Sequence, residues 1–240
     1  MNHHRKMIEL LRATAEGEQL LALPGMVLNS GMDTVARSDI YVLGFNPGGD
    51  PENFACVEQN ILSSPMGPFS GFNEKWGCAA GQHRHQIAVK KYLAALGVVD
   101  ICTVPASNAY FLASSGVNEL KAATKQHRPG GLIPLFKACW PVHEYLLSVI
   151  KPKVILCLGN GEGLEDSSFA AVRSLFPSRS GSSPSHESYR LGKWFVTKAT
   201  FSNDQDVLWF GVPHPSRFYA TDALCATLWE QADLVGISRP

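Results

Sequence analysis

The chain has 240 residues, 45% of them hydrophobic and 18% charged, which describes a protein able to bury a substantial core rather than a disordered one. Its 21 basic residues are balanced by 21 acidic ones, and a net charge of zero argues against a surface coated in positive charge for nucleic acid. No run approaches the ~20 consecutive apolar residues of a membrane span, so no membrane partner is expected.

The opening MNHHRKMIELLR carries basic residues but no apolar stretch behind them, so it does not read as a secretory signal and a cytoplasmic location is expected. In that compartment the six cysteines (Cys56, Cys78, Cys102, Cys139, Cys157 and Cys225) are expected to be reduced. They form no C-x-x-C pair, which gives zinc or iron–sulfur ligation little support. Residues 4–23 read as an amphipathic helix within a first segment 1–24, stopped by Pro24-Gly25. IYVLGF (40–45) has the length and apolarity of a buried strand, and it runs into Asn46, Pro47, Gly48, Gly49 and Asp50. HQIAVKKYLAAL (85–96) reads as a helix ending at Gly97, and DICTVPASNAYF (100–111) as a strand entering a polar turn. A second long helix is expected over 132–150, then KVILCLG (153–159), the clearest buried strand. SRSGSSPSHES (178–188) reads as a flexible loop; YRL and KWFVTKATF on either side of Gly192 suggest a hairpin. VLWFGV (207–212) is the last strand, leading into PHPSRF, and 221–235 is the closing helix. With no internal repeat and no long linker, 1–240 is expected to be one domain.

Strands alternating with helices predict an α/β fold with a parallel sheet covered on both faces. In such sheets ligands bind beyond the carboxyl ends of the strands. GFNPGG, SNAYF, LGNGEG and HPSRF stand at four such ends, so they converge on one crevice. Asn46 and Asn108 bring amides, each a donor and an acceptor at once. His214 brings a donor suited to a developing anion, and Phe69, between Pro68 and Ser70, an aromatic face suited to a planar heterocycle. LGNGEG lacks the G-x-G-x-x-G spacing of a dinucleotide loop and reads as a tight turn. His83 and His85 stand two apart at the start of a helix, where they do not face each other, so no metal is expected there. No G-x-S-x-G elbow supports a serine hydrolase. Residues 81–137 hold seven basic residues against two acidic ones, a local +5 that permits a phosphate-binding face without requiring one.

Taken in order, GFNPG, PF, SNAYF, PKVILCLG and HPSRF resemble the uracil-DNA glycosylase superfamily over about residues 40–218. GFNPGG is most similar to the G-x-N-P-G form of its mismatch-specific and single-strand-selective branches. The resemblance implies a three-layer α/β/α sandwich with a central, mainly parallel four-stranded sheet. It also implies hydrolysis of an N-glycosidic bond on a flipped-out nucleotide, with no metal or cofactor. It would have Asn46 hold the attacking water and His214 donate a hydrogen bond to the departing base. Phe69 would stack on that base, Asn108 would bind its edge, and Gly44, Phe45, Gly48 and Gly49 would line its pocket. Ser216, Arg217 and Phe218 would meet DNA, duplex or single-stranded, with Arg217 or Phe218 as the wedge. Uracil-strict relatives carry a Tyr after the Pro of the first motif; Gly48 and Gly49 here imply room for a C5 substituent, up to a modified phage base. The iron–sulfur cysteines of other branches are not matched. The reading is of a monomeric, monofunctional glycosylase in repair or anti-phage defence. Its rivals are a catalytically weak nucleic-acid or nucleobase binder of the same fold and an unrelated α/β hydrolase.

Overall fold

In this computed structural model, residues 2–127, 131–159, 187–191, 194–200 and 206–233 are described. Numbered in chain order, the strands are β1 (Ile40–Gly44), β2 (Ala106–Asn108), β3 (Val154–Leu158), β4 (Glu187–Leu191), β5 (Trp194–Thr200) and β6 (Asp206–Val212). They form one sheet in the order β2-β1-β3-β6-β5-β4. β2, β1, β3 and β6 run parallel, with Gly44 opposite Asn108, Ile40 opposite Val154 and Leu158 opposite Val212. This is the parallel sheet the alternation of strands and helices predicts, with the four strands the resemblance implies. The hairpin foreseen around Gly192 adds β5 and β4 antiparallel beyond β6, making six strands rather than four.

Seven helices are described: α1 (His3–Arg12), α2 (Ala15–Leu21), α3 (Val57–Leu62), α4 (Arg84–Ala95), α5 (Val117–His127), α6 (Leu132–Ile150) and α7 (Asp222–Asp233). Side chains alternate across the sheet, as a period of two requires. Tyr41, Leu43, Ile155, Cys157, Val207 and Trp209 face a core completed by α1, α2, α3, α5 and α6. Ile40, Val42, Val154, Leu156, Leu208 and Phe210 face a second core under α4 and α7. Covered on both faces, the strands read as unbroken apolar runs rather than alternating ones. No described helix is long and apolar enough to cross a membrane.

Two expectations need correction, and two helices stand where none was expected. The helix expected over 4–23 is two helices, because the Thr14 side chain accepts from Gly17 N–H and opens α2 as a new helix. Residues 100–111 are not one strand. Asp100 caps a short 3-10 turn over Ile101–Thr103, Pro105 has no N–H for a ladder, and strand geometry is confined to Ala106–Asn108. α3 and α5 were not foreseen, since α3 is only six residues long and too short to show a period. Residues 160–186 lie outside the described residues, and with them the LGNGEG segment beyond Gly159 and most of the loop expected over 178–188; its last two residues, Glu187 and Ser188, belong instead to β4, paired with Lys198 and Thr197.

Candidate functional site

The chain leaves β1 for β2 on one side and later takes up β3 on the other, so β1 and β3 flank the point where strand order reverses. Ligands of open α/β sheets bind outside the carboxyl ends at this point. Asn46 stands two residues beyond the end of β1. Its Nδ2 donates to Pro47 O (2.9 Å), Ser114 O (3.2 Å) and Ser114 Oγ (3.0 Å). Two of these are carbonyl oxygens that only accept, which fixes the amide's orientation. The NH2 end is thereby consumed, and Oδ1 has no donor among the described residues, so it is the end left to hold a water or a ligand.

Ser114 organises this loop. It is 2% exposed; its N–H donates to Pro47 O, its O accepts from Gly49 N–H, and its Oγ donates to Gly116 O. Oγ, having given its proton away, is free to accept from Asn46. Gly49 has φ +141°, a conformation side chains rarely adopt, and a Cβ there would lie 3.2 Å from the Phe54 ring. A Cβ at Gly48 would meet nothing within 4 Å, so space is open beside Asn46.

Gly44 and Asn108 are register partners on adjacent strands. A Cβ on Gly44 would collide with Asn108 Oδ1, so the glycine is what lets this amide lie against β1. The Asn108 side chain is 7% exposed and makes no hydrogen bond to a described residue. Its amide atoms are not among the sealed, unsatisfied polar atoms of the core, so they are open to a water or a ligand edge. Phe69 is half-buried; its carbonyl accepts from Gly31 N–H at 2.9 Å. The segment 28–31 in turn touches β2 through Leu28–Ser107 and Asn29–Ala106, which carries the Phe69 loop to the β2 side of the sheet edge. The Phe45 ring packs edge-on against Tyr110 in the core, 4.9 Å between centroids, so what Phe45 can offer a ligand is its backbone.

His214 follows β6. Ser216 N–H donates to its Nδ1 at 3.3 Å, so the neutral ring carries its proton on Nε2 and is a donor there. Burial, then Arg217, lower its pKa below the ordinary histidine value, which keeps the ring neutral. Arg217 and Phe218 N–H both donate to His214 O, closing a tight turn that leaves Ser216, Arg217 and Phe218 exposed. Tyr219, 72% exposed, lies under the Arg84 guanidinium at 4.1 Å.

Sequence reasoning missed Ser114 and His85. Ser114 sits in an unremarkable SSG triplet, and nothing local signals a partner 68 residues away. His83 and His85 do open α4 as expected. His83 is its N-cap, accepting from His85 N–H, while Gln86 accepts from His83 N–H. Yet the His85 ring faces His214, 5.4 Å between centroids, a contact no local spacing reveals. The described basic residues of 81–137 do not share one face, because α4 lies on one side of the sheet and α5 and α6 on the other. Among the described residues no group of three or more His, Cys, Asp or Glu is arranged to hold a metal ion. The site therefore offers two amides, one held by its NH2 end and one buried without a partner, a neutral imidazole donor, an aromatic face and an open glycine-lined space. No protein-family model matches the chain, and a search of curated proteins finds no relative.

Proposed function

We propose that this protein is a monofunctional DNA glycosylase that releases uracil or a C5-modified pyrimidine from a flipped-out nucleotide, leaving an abasic site. The observation that carries this reading is the fixed tautomer of His214, a neutral Nε2–H donor on the same sheet edge as Asn46 and Asn108. Glycoside cleavage sends the C1′–N electron pair onto the base, so a donor that is already neutral and oriented stabilises the anion as it forms. Water then bonds to C1′ through an oxygen lone pair, and its proton passes to the departed base anion, which leaves as the neutral base. Asn46 Oδ1 accepts a hydrogen bond from that water and orients it, but an amide does not take up the proton, so the sugar must already be strongly cationic when water attacks. Asn108, buried and unpartnered, supplies donor and acceptor to the base edge, and Phe69 supplies the stacking face. The open space at Gly48 accommodates a group on C5.

The test uses oligonucleotides carrying uracil and a series of C5-modified pyrimidines, with freed bases identified by mass spectrometry. Base release from uracil or a C5-modified substrate is expected, and strand cleavage only after alkali. Asn46→Ala and His214→Ala should each lower release by about 10²-fold or more while DNA binding persists. Binding with no release from any substrate would replace this reading with that of a nucleic-acid or nucleobase binder; neither binding nor release would leave the α/β fold without a nucleic-acid role. Release of unmodified uracil alone would overturn the C5-tolerant pocket.

A further inference from the structure

The first turn of α4 reaches across to the turn after β6 at three points. His85 Nδ1 lies 3.2 Å from Ser216 Oγ, Arg84 Nη2 donates to Arg217 O at 3.0 Å, and the His85 ring meets the His214 ring edge to face, 76° between planes. His85 has no freedom to leave. Its ring lies parallel to Phe72 (6.3 Å, 10°) and edge-on to Trp76 (5.7 Å). Its own N–H is held by His83 Nδ1. Ser216 is therefore fixed at its side chain by His85 and, through its backbone N–H, fixes Nδ1 of His214.

We infer that His85 is a positioning residue for His214: through Ser216 Oγ and its ring face it sets the tautomer and orientation of the imidazole that meets the ligand. The inference deepens the glycosylase reading and rests on it for its catalytic consequence. The alternative, a merely structural packing role, would hold α4 to the turn without affecting which nitrogen of His214 carries the proton. Among the described residues, the titratable and charged groups facing His214 are His85 from α4, with His83 behind it, and Arg217 from its own turn. Burial, with His214 and His83 beside it, keeps His85 itself neutral down to a pKa of about 3, so His85 acts as a fixed dipole and not as a second charge.

The experiment is a titration of the histidine imidazoles in 15N-labelled full-length protein, followed by long-range 1H–15N spectra, in the unsubstituted chain and in His85→Phe and His85→Gln. In the unsubstituted chain, His214 is expected to show protonated Nε2 and unprotonated Nδ1 when neutral. His85→Phe keeps an aromatic ring in place and removes the bond to Ser216 together with the imidazole dipole, so the His214 tautomer preference should fall several-fold. His85→Gln, which restores a polar partner for Ser216 Oγ, should recover most of it. The His143 imidazole, elsewhere in the core, reports whether each variant has kept its fold. An unchanged His214 tautomer and titration in a folded His85→Phe overturns the inference. In base-release assays kcat should fall about ten-fold in His85→Phe with KM nearly unchanged; a rise in KM at constant kcat would instead mark His85 as a binding contact and overturn it. A tautomer change in a protein that releases no base supports the positioning role and overturns the glycosylase reading alone.

Discussion

Gly44 and Ser114 each hold one of the two amides at the sheet edge, by opposite means. Gly44 acts by having no side chain: any Cβ would strike Asn108 Oδ1, and the buried Asn108 side chain has little room to yield. Gly44→Ala is expected to leave the fold intact, with a stability loss of about 1–3 kcal/mol from overpacking, while lowering nucleobase affinity about ten-fold or more. Thermal unfolding read beside base binding checks both halves, and unchanged affinity would remove Asn108 from the site. Ser114 acts by hydrogen bonding. Ser114→Ala deletes one of three acceptors for Asn46 Nδ2 but keeps the carbonyls, so base release should drop about ten-fold, less than for Asn46→Ala, with stability lowered by about 1 kcal/mol. At this scale the candidate ligand-facing residues were legible, because an Asn or His at a strand end carries its chemistry in its own side chain. Ser114 and His85 were not, since their importance lies wholly in partners distant in sequence.

At the scale of elements, the junction of α6 with the end of β2 has its own pH dependence. His143 on α6 is 2% exposed, packed 5.0 Å from the Phe111 ring, and its Nε2 donates to Ala109 O; Ala109 N–H in turn donates to Gly44 O. Nδ1 is buried without a partner, so a second proton would be unsatisfied there, and burial lowers the His143 pKa to about 4. In the unfolded chain it returns to about 6.5, so between these values the unfolded state binds more protons and stability rises with pH. The contribution, about 3 kcal/mol in full, is present above pH 6.5 and is lost as pH falls toward 4. His85 shifts the same way, so the diagnostic is a difference. Urea unfolding at pH 7.5 and at the acid end should show a smaller acid loss in His143→Gln than in the unsubstituted chain, and parallel curves would remove His143 as the cause. The long apolar strands and α4 and α6 were readable because both layers of the sandwich demand continuous hydrophobicity. β2 is shorter than the apolar run suggests because Asp100 and Pro105 interrupt pairing that residue composition alone favours, and the break between α1 and α2 is hidden in the sequence because Thr14, the cap that opens α2, sits inside an amphipathic pattern that runs on through it.

Across the whole molecule, the balance of charge limits how DNA would be held. Of the basic residues on α4, Lys91 is paired with Asp222 at 2.7 Å and Lys90 Nζ donates to Gly81 O, while Lys121 and Lys137 belong to the opposite layer. Beside the exposed Phe218 and Tyr219 stand Arg84 and Arg217, neither in an ion pair with a described residue. Each phosphate neutralised on duplex DNA contributes about −0.9 to the slope of log K against log salt. Two such contacts predict a slope of about −2, so affinity should fall by only about fifteen-fold between roughly 50 and 200 mM salt. Anisotropy titrations of a labelled duplex measure this directly, and Arg217→Ala should make the slope shallower by about 1. A slope of about −5 or steeper would mean that basic residues from the other layer also reach the phosphates, and the proposed docking of DNA at the β6 turn would be wrong. A shallow slope has a consequence for mechanism: with little electrostatic attraction to the backbone, discrimination must come from the pocket itself. A nucleotide that leaves the stack easily, whether mismatched, modified or single-stranded, would be captured in preference to a well-paired one, because unstacking is the step the rest of the surface does least to offset.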